Sequence, residues 1–168
     1  MPGIEGICDR LIVEPLECVD LTLFDQLGPG DILFVDNSHR VLMNSDATVV
    51  FLDILPRLKP GVIVEIHDIA LPFDYPPAWA DRFYSEQYVL AAYLLADGCR
   101  FDVLLPNAFI SLDPDLNRIL DPLWLDPEMN AGIRFDPGER FTAGAVYAVE
   151  TSGLIETHGS SFWFRING

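Results

Sequence analysis

Asp31-Ile32-Leu33-Phe34-Val35-Asp36-Asn37-Ser38-His39 and Val62-Ile63-Val64-Glu65-Ile66-His67-Asp68 repeat one pattern: an apolar run that ends in a polar cluster with a histidine near an aspartate. A short, continuous apolar run reads as a strand buried on both faces. Between the two runs, Asn44 or Ser45 can cap a helix to about residue 55, with Val50/Ile54 and Phe51/Leu55 sharing one side. Lys59-Pro60-Gly61 then turns the chain back. Strand, helix, strand in this order is a parallel α/β unit with a right-handed crossover. In open α/β sheets, ligands collect beyond the carboxyl ends of the strands. The chain has three histidines, and two of them stand at these ends.

Upstream, Leu11-Ile12-Val13 is a short strand candidate and residues 21–27 a short helix stopped by Gly28-Pro29-Gly30. Downstream, residues 69–77 form a loop rich in proline and aromatics. The spacing predicts a long helix over 78–95, with Pro77 near its start, Gly98 past its end, and Phe83, Gln87, Leu90, Ala91 and Leu94 as its inner stripe. On that helix Glu86 reads as solvent-facing. Residues 101–105 are a further strand. Residues 106–140 are rich in proline and aspartate, with a helix expected over 114–123. Residues 143–150 and 160–166 are expected as strands, read as an antiparallel closing pair. All of this fits one domain over residues 1–168.

Half of the residues are apolar and the mean hydropathy is positive, as in a core-forming chain. The net charge of −16 argues against nucleic acid, since phosphate contacts need a basic surface. It suits either a cationic ligand or metal, or simply a solvated acidic surface. No run approaches the roughly 20 apolar residues of a membrane span, and the first residues carry no signal-peptide pattern. Cys8, Cys18 and Cys99 lack C-x-x-C spacing and read as reduced thiols, so a cytoplasmic location is expected. Glu65 is the odd residue. Inside an apolar strand it needs either an exposed strand end or a partner such as Arg57 or Arg100.

The stretch from Gly30 to His39, the turn Leu55-Pro56-Arg57-Leu58-Lys59-Pro60-Gly61, Ile66-His67-Asp68-Ile69 with Pro72 and Tyr75-Pro76, and the closing Gly159-Ser160-Ser161-Phe162-Trp163-Phe164-Arg165 together carry a resemblance. They resemble the second half of the class I S-adenosylmethionine-dependent methyltransferase domain. The similarity is greatest to a bacterial branch with aspartate–serine–serine–histidine after the fourth strand and histidine–aspartate after the fifth. Residues 10–110 and the closing segment carry it, with Asn37 where the branch has serine. The resemblance implies a Rossmann-like α/β sheet, mostly parallel with an antiparallel closing strand and truncated at the N-terminus. The family's first strand, its Gly-rich cofactor turn and the acidic residue after its second strand have no counterpart before Leu11. Gly28-Pro29-Gly30 precedes a strand, whereas that turn must follow one.

By resemblance, the activity is methyl transfer from S-adenosylmethionine to a small-molecule hydroxyl, with Asp36, Asn37 and Ser38 on the cofactor side. Asp36, His67 and Asp68 fall where a metal-dependent O-methyltransferase holds a divalent ion. Alternatively His67 or His39 is a general base. A third possibility is that Asp36 and Asp68 cap loop amides while the histidines pair with them. Tyr75 and Phe73 either wall an acceptor site or pack under the following helix. His158 reads as an exposed loop residue. Two further functions fit the residues: a non-catalytic binding or assembly module, and a metal-dependent hydrolase. Without a first-strand neighbour, Ile32-Leu33-Phe34-Val35 is left as an apolar edge, so a homo-oligomer or a separately supplied N-terminal half is expected.

Overall fold

The computed structural model describes residues 6–96, 100–119, 122, 140–142, 154–156 and 159–168. Strand β1 (Ile32–Val35) leads through a loop to helix α1 (Asp46–Val49), which Ser45 caps by accepting the Thr48 N–H. The helix widens into a π turn over Val50–Ile54 and tightens into a 3-10 turn over Leu55–Arg57. As the spacing requires, Val50, Phe51, Ile54 and Leu55 are all buried. Strand β2 (Ile63–Ile66) pairs with β1 in parallel, Phe34 opposite Glu65. A 3-10 turn (Pro77–Arg82) and helix α2 (Glu86–Ala96) lead to β3 (Phe101–Pro106), then to helices α3 (Asn107–Leu112) and α4 (Pro114–Ile119). Strands β4 (Arg140–Thr142) and β5 (Leu154–Glu156) pair with each other, antiparallel, outside the main sheet. Strand β6 (Phe162–Ile166) completes the main sheet, whose order is β1-β2-β6-β3.

Several expectations need correction. Only one of the three ladders in the main sheet is parallel. The closing strand lies between β2 and β3, and both of its ladders are antiparallel. The sheet is therefore mixed, although β1, β2 and β3 share one direction. β6 pairs with these two strands, and residues 143–150, its expected partner, lie outside the described residues, as do His158 and Cys99. Residues 11–13 form no strand. They have no neighbouring strand among the described residues, and Leu11 and Val13 are exposed. The expected helix over 78–95 begins only at Glu86, because the 3-10 turn ends in Phe83 at φ 57°, a left-handed conformation no helix can continue. Phe83 thus leaves the inner stripe and is exposed, whereas Gln87 and Leu90 are fully buried.

The core lies on one face of the sheet. Val35, Val64, Ile66, Phe162, Phe164 and Ile166 pack against Val50, Phe51, Ile54, Leu55 and Leu90. Gly61 fixes the approach of the loop before β2: its φ is +89°, and an added Cβ would lie 2.7 Å from Pro29 Cβ. No helix among the described residues is long and apolar enough to cross a membrane.

Glu65 sits on the other face, between Phe34 and Trp163 in register. It is buried, and among the described residues neither carboxyl oxygen is hydrogen-bonded. Neither expected arginine reaches it. Arg57 pairs with Asp25 at 3.0 Å, and Arg100 donates to the carbonyls of Leu55 and Pro56. Burial raises the Glu65 pKa to about 7. Between an ordinary carboxyl pKa and that value, the folded state holds a proton that the unfolded state releases. Stability therefore falls as pH rises through this window and is flat above it. Glu65→Gln is expected to gain on the order of 2–3 kcal/mol over the wild type above pH 7 and almost nothing near pH 4. Urea titrations at the two pH values check this; an equal effect at both would exclude a raised pKa.

Candidate functional site

The parallel pair β1–β2 delivers two loops to the same end of the sheet. After β1 the chain turns sharply at His39, whose φ is +57°. Its N–H donates to Asn37 Oδ1 at 2.7 Å, and its carbonyl accepts from the N–H groups of Ser85 and Glu86 at the start of α2. Ser38 holds the loop from the other side, donating its N–H and hydroxyl to Asp46. After β2, Asp68 also adopts a left-handed conformation, φ +55°. Histidine and aspartate are among the residues that tolerate this region best.

The side chains meet at the His39 imidazole. Its Nδ1 contacts Glu86 Oε1, while its Nε2 faces Asp36 Oδ1 at 3.3 Å and Asp68 Oδ2 at 3.7 Å. Glu86, read as solvent-facing, is in fact fully buried. The expectation fails because α2 starts at Glu86, so its first turn points at the β1 loop. Burial works against a charged His39, but the Glu86 hydrogen bond and the charges of Glu86, Asp68 and Asp36 outweigh it and raise its pKa. Burial also raises the Glu86 pKa, with His39 opposing. With both ring nitrogens engaged by carboxylates, His39 has no lone pair directed at a ligand. This burial and these contacts suit a positioning residue.

His67 is different. Its side chain is 42% exposed, and its Nδ1 donates to Asp68 Oδ1 at 3.1 Å. That bond raises the His67 pKa, with burial opposing and Asp68, Glu65 and Asp36 adding to the rise. Asp68 in turn accepts the Ser160 hydroxyl at 3.0 Å and lies 3.9 Å from Arg82. Burial disfavours its charge, but the bonds from His67 and Ser160 prevail and hold its pKa below the ordinary value. A carboxylate that fixes one imidazole nitrogen leaves the other as a base.

The other assigned residues are less open. Asn37 Oδ1 and the Ser38 amide and hydroxyl are committed to the loop itself, so these two do not fit as residues that hold a nucleoside cofactor. Asp36, with its side chain 55% exposed, stays accessible. Asp36 and Asp68 both face His39 Nε2, and His67 bonds to Asp68. Among the described residues no group of three or more histidine, cysteine, aspartate or glutamate side chains is arranged to hold a metal ion. A divalent ion therefore does not fit this arrangement. Tyr75 packs edge-on against Tyr84 and Tyr88, and its hydroxyl accepts the Gln87 N–H at 3.2 Å; burial raises its pKa far above the ordinary value. The Phe73 carbonyl accepts from Gln87 Nε2.

Searches of known proteins add no constraint: no family model, no curated protein and no solved structure matches the chain.

Removing one member of a buried charge-bearing pair leaves the other uncompensated, a loss of about 3–5 kcal/mol. Glu86→Ala is expected to destabilise by that amount and to lower the His39 pKa, with Glu86→Gln milder on both counts. Chemical denaturation and a histidine side-chain NMR titration measure the two effects. A loss below about 1 kcal/mol would show that the pair does not organise the site.

Proposed function

We propose that this chain carries the acceptor side of a methyltransferase-type α/β domain, where His67 takes the proton from a small-molecule hydroxyl. One observation carries the reading. Parallel strands bring His67, Asp68, His39 and Asp36 to one end of the sheet, where His67 alone combines an oriented ring with exposure. The shared direction of β1, β2 and β3 and the antiparallel β6 support the Rossmann-like reading, since an antiparallel closing strand is what the resemblance implies.

In this mechanism the acceptor hydroxyl hydrogen-bonds to His67 Nε2. As the proton moves to Nε2, the charge that forms on the ring is stabilised by Asp68, which Ser160 keeps aimed at Nδ1. His39 and Glu86 hold the Asp68 and Asp36 loops in register with α2. Neither S-adenosylmethionine nor a metal ion is fitted by the residues assigned to it, so no step passes through either.

The probe is 4-nitrophenol, whose ionised form is yellow. Below its own pKa, saturating binding to the chain is expected to raise the phenolate absorbance, and His67→Ala is expected to abolish the rise. An unchanged rise in that variant, or none in the wild type, would reject His67 as the base. A separate calorimetric titration with S-adenosylmethionine is expected to show no micromolar binding. Such binding would overturn the view that Asn37 and Ser38 serve the loop alone.

A further inference from the structure

Next to the strand-end site, the loop after β2, the 3-10 turn and the start of α2 line an open cavity of about 260 Å³, and its Tyr84 ring also lies 4.4 Å from the His39 ring. Its walls are Tyr75, Trp79, Phe83, Tyr84 and Tyr88, with Asp74 among them. This is below the roughly 300 Å³ at which drug-sized sites begin, so it suits a small head group and not a whole cofactor. The rings meet mostly edge to face: Tyr75 with Tyr84 and with Tyr88 at 5.8 Å, and Trp79 with Tyr84 at 5.7 Å. In such packing the positive edge of one ring meets the electron-rich face of the next.

Two further observations give the cavity a sign. Asp74 uses only Oδ1 in hydrogen bonds, accepting from the Tyr75 N–H and the Tyr88 hydroxyl, and Oδ2 has no such bond among the described residues. The same ring system already carries one cation: the Arg82 guanidinium lies 4.3 Å from the Trp79 ring centre and 5.6 Å from that of Tyr84. Arg82 does not line the cavity, and Asp68 faces its charge at 3.9 Å. A net charge of −16 draws further cations toward the molecule.

We propose that this cavity is an aromatic cage for an alkylated ammonium group, with Tyr75, Tyr84 and Tyr88 supplying ring faces and Asp74 the countercharge. Tetraalkylammonium ions suit such a site because their charge is spread over methyl groups and weakly hydrated, so ring faces replace water at little loss. An uncharged phenol or aliphatic alcohol forms no ion pair with Asp74. The assignment is independent of the proton-transfer chemistry at His67.

Choline and its uncharged carbon isostere, 3,3-dimethylbutan-1-ol, separate shape from charge. Binding is followed by two-dimensional NMR of the full chain in about 0.15 M salt, which screens loose attraction to the acidic surface. Choline is expected to bind at least about tenfold more tightly than the isostere, shifting the ring signals of Tyr75, Tyr84 and Tyr88. Tyr88→Ala and Asp74→Asn are each expected to weaken choline about fivefold or more while leaving His67 signals in place. Tyr88 is half-exposed, so its replacement leaves the core intact. Equal binding of the two compounds would make the cavity a mere apolar hollow. Undiminished choline binding in both variants would place the ion on the general acidic surface, and no shift at millimolar choline would mean that no cage exists. Each of these results overturns the proposal.

Discussion

The contact between His39 and Glu86 is the constraint on which the site depends. One imidazole, buried and held in a left-handed turn, touches carboxylates from three parts of the chain: Asp36 after β1, Asp68 after β2 and Glu86 at the head of α2. Three carboxylates converging without a cation would repel one another, and burial would force protons onto them. A protonated His39 offsets that repulsion, and its backbone carbonyl caps the same helix from which Glu86 reaches it. The ring and the main chain of one residue therefore fix the same junction.

That junction explains the division of labour between the two strand-end histidines. His39 is engaged on both nitrogens and buried, so its chemistry is internal. His67 has one nitrogen held and the other facing outward, so its chemistry is available to a ligand. The likeness of the two segments in sequence conceals this difference. It arises from the next element: the β1 loop runs under α2, whereas the β2 loop runs out into the aromatic segment beside it.

The two strands, the capped helix between them and the turn at Gly61 were all legible, because continuous apolar runs and the Lys59-Pro60-Gly61 turn act locally. What could not be read was set by distant partners. Glu86 looked exposed because a helical stripe drawn from residue 78 puts it on the wrong side. Ser85, which can cap a helix, was the available sign that the helix starts later. The gathering of Asp36, His39, His67 and Asp68 followed from strand order, but the approach of one imidazole to both carboxylates did not, since nothing in the spacing shows which way a side chain turns. Glu65 was flagged as anomalous, yet both proposed partners proved to be engaged elsewhere.

The place of β6 also bears on how the chain assembles during synthesis. Among the described residues β3 has one hydrogen-bonded neighbour in the sheet, and that neighbour is β6, made after every other strand of the layer. A nascent chain that has released residues up to about 119 can pair β1 with β2, but β3 must wait with its apolar side chains unpaired. The sheet closes from the middle, when Phe162, Phe164 and Ile166 slide between strands already present. Translation pauses or chaperones acting between β3 and β6 would thus decide whether the waiting strand meets its own partner or another chain's.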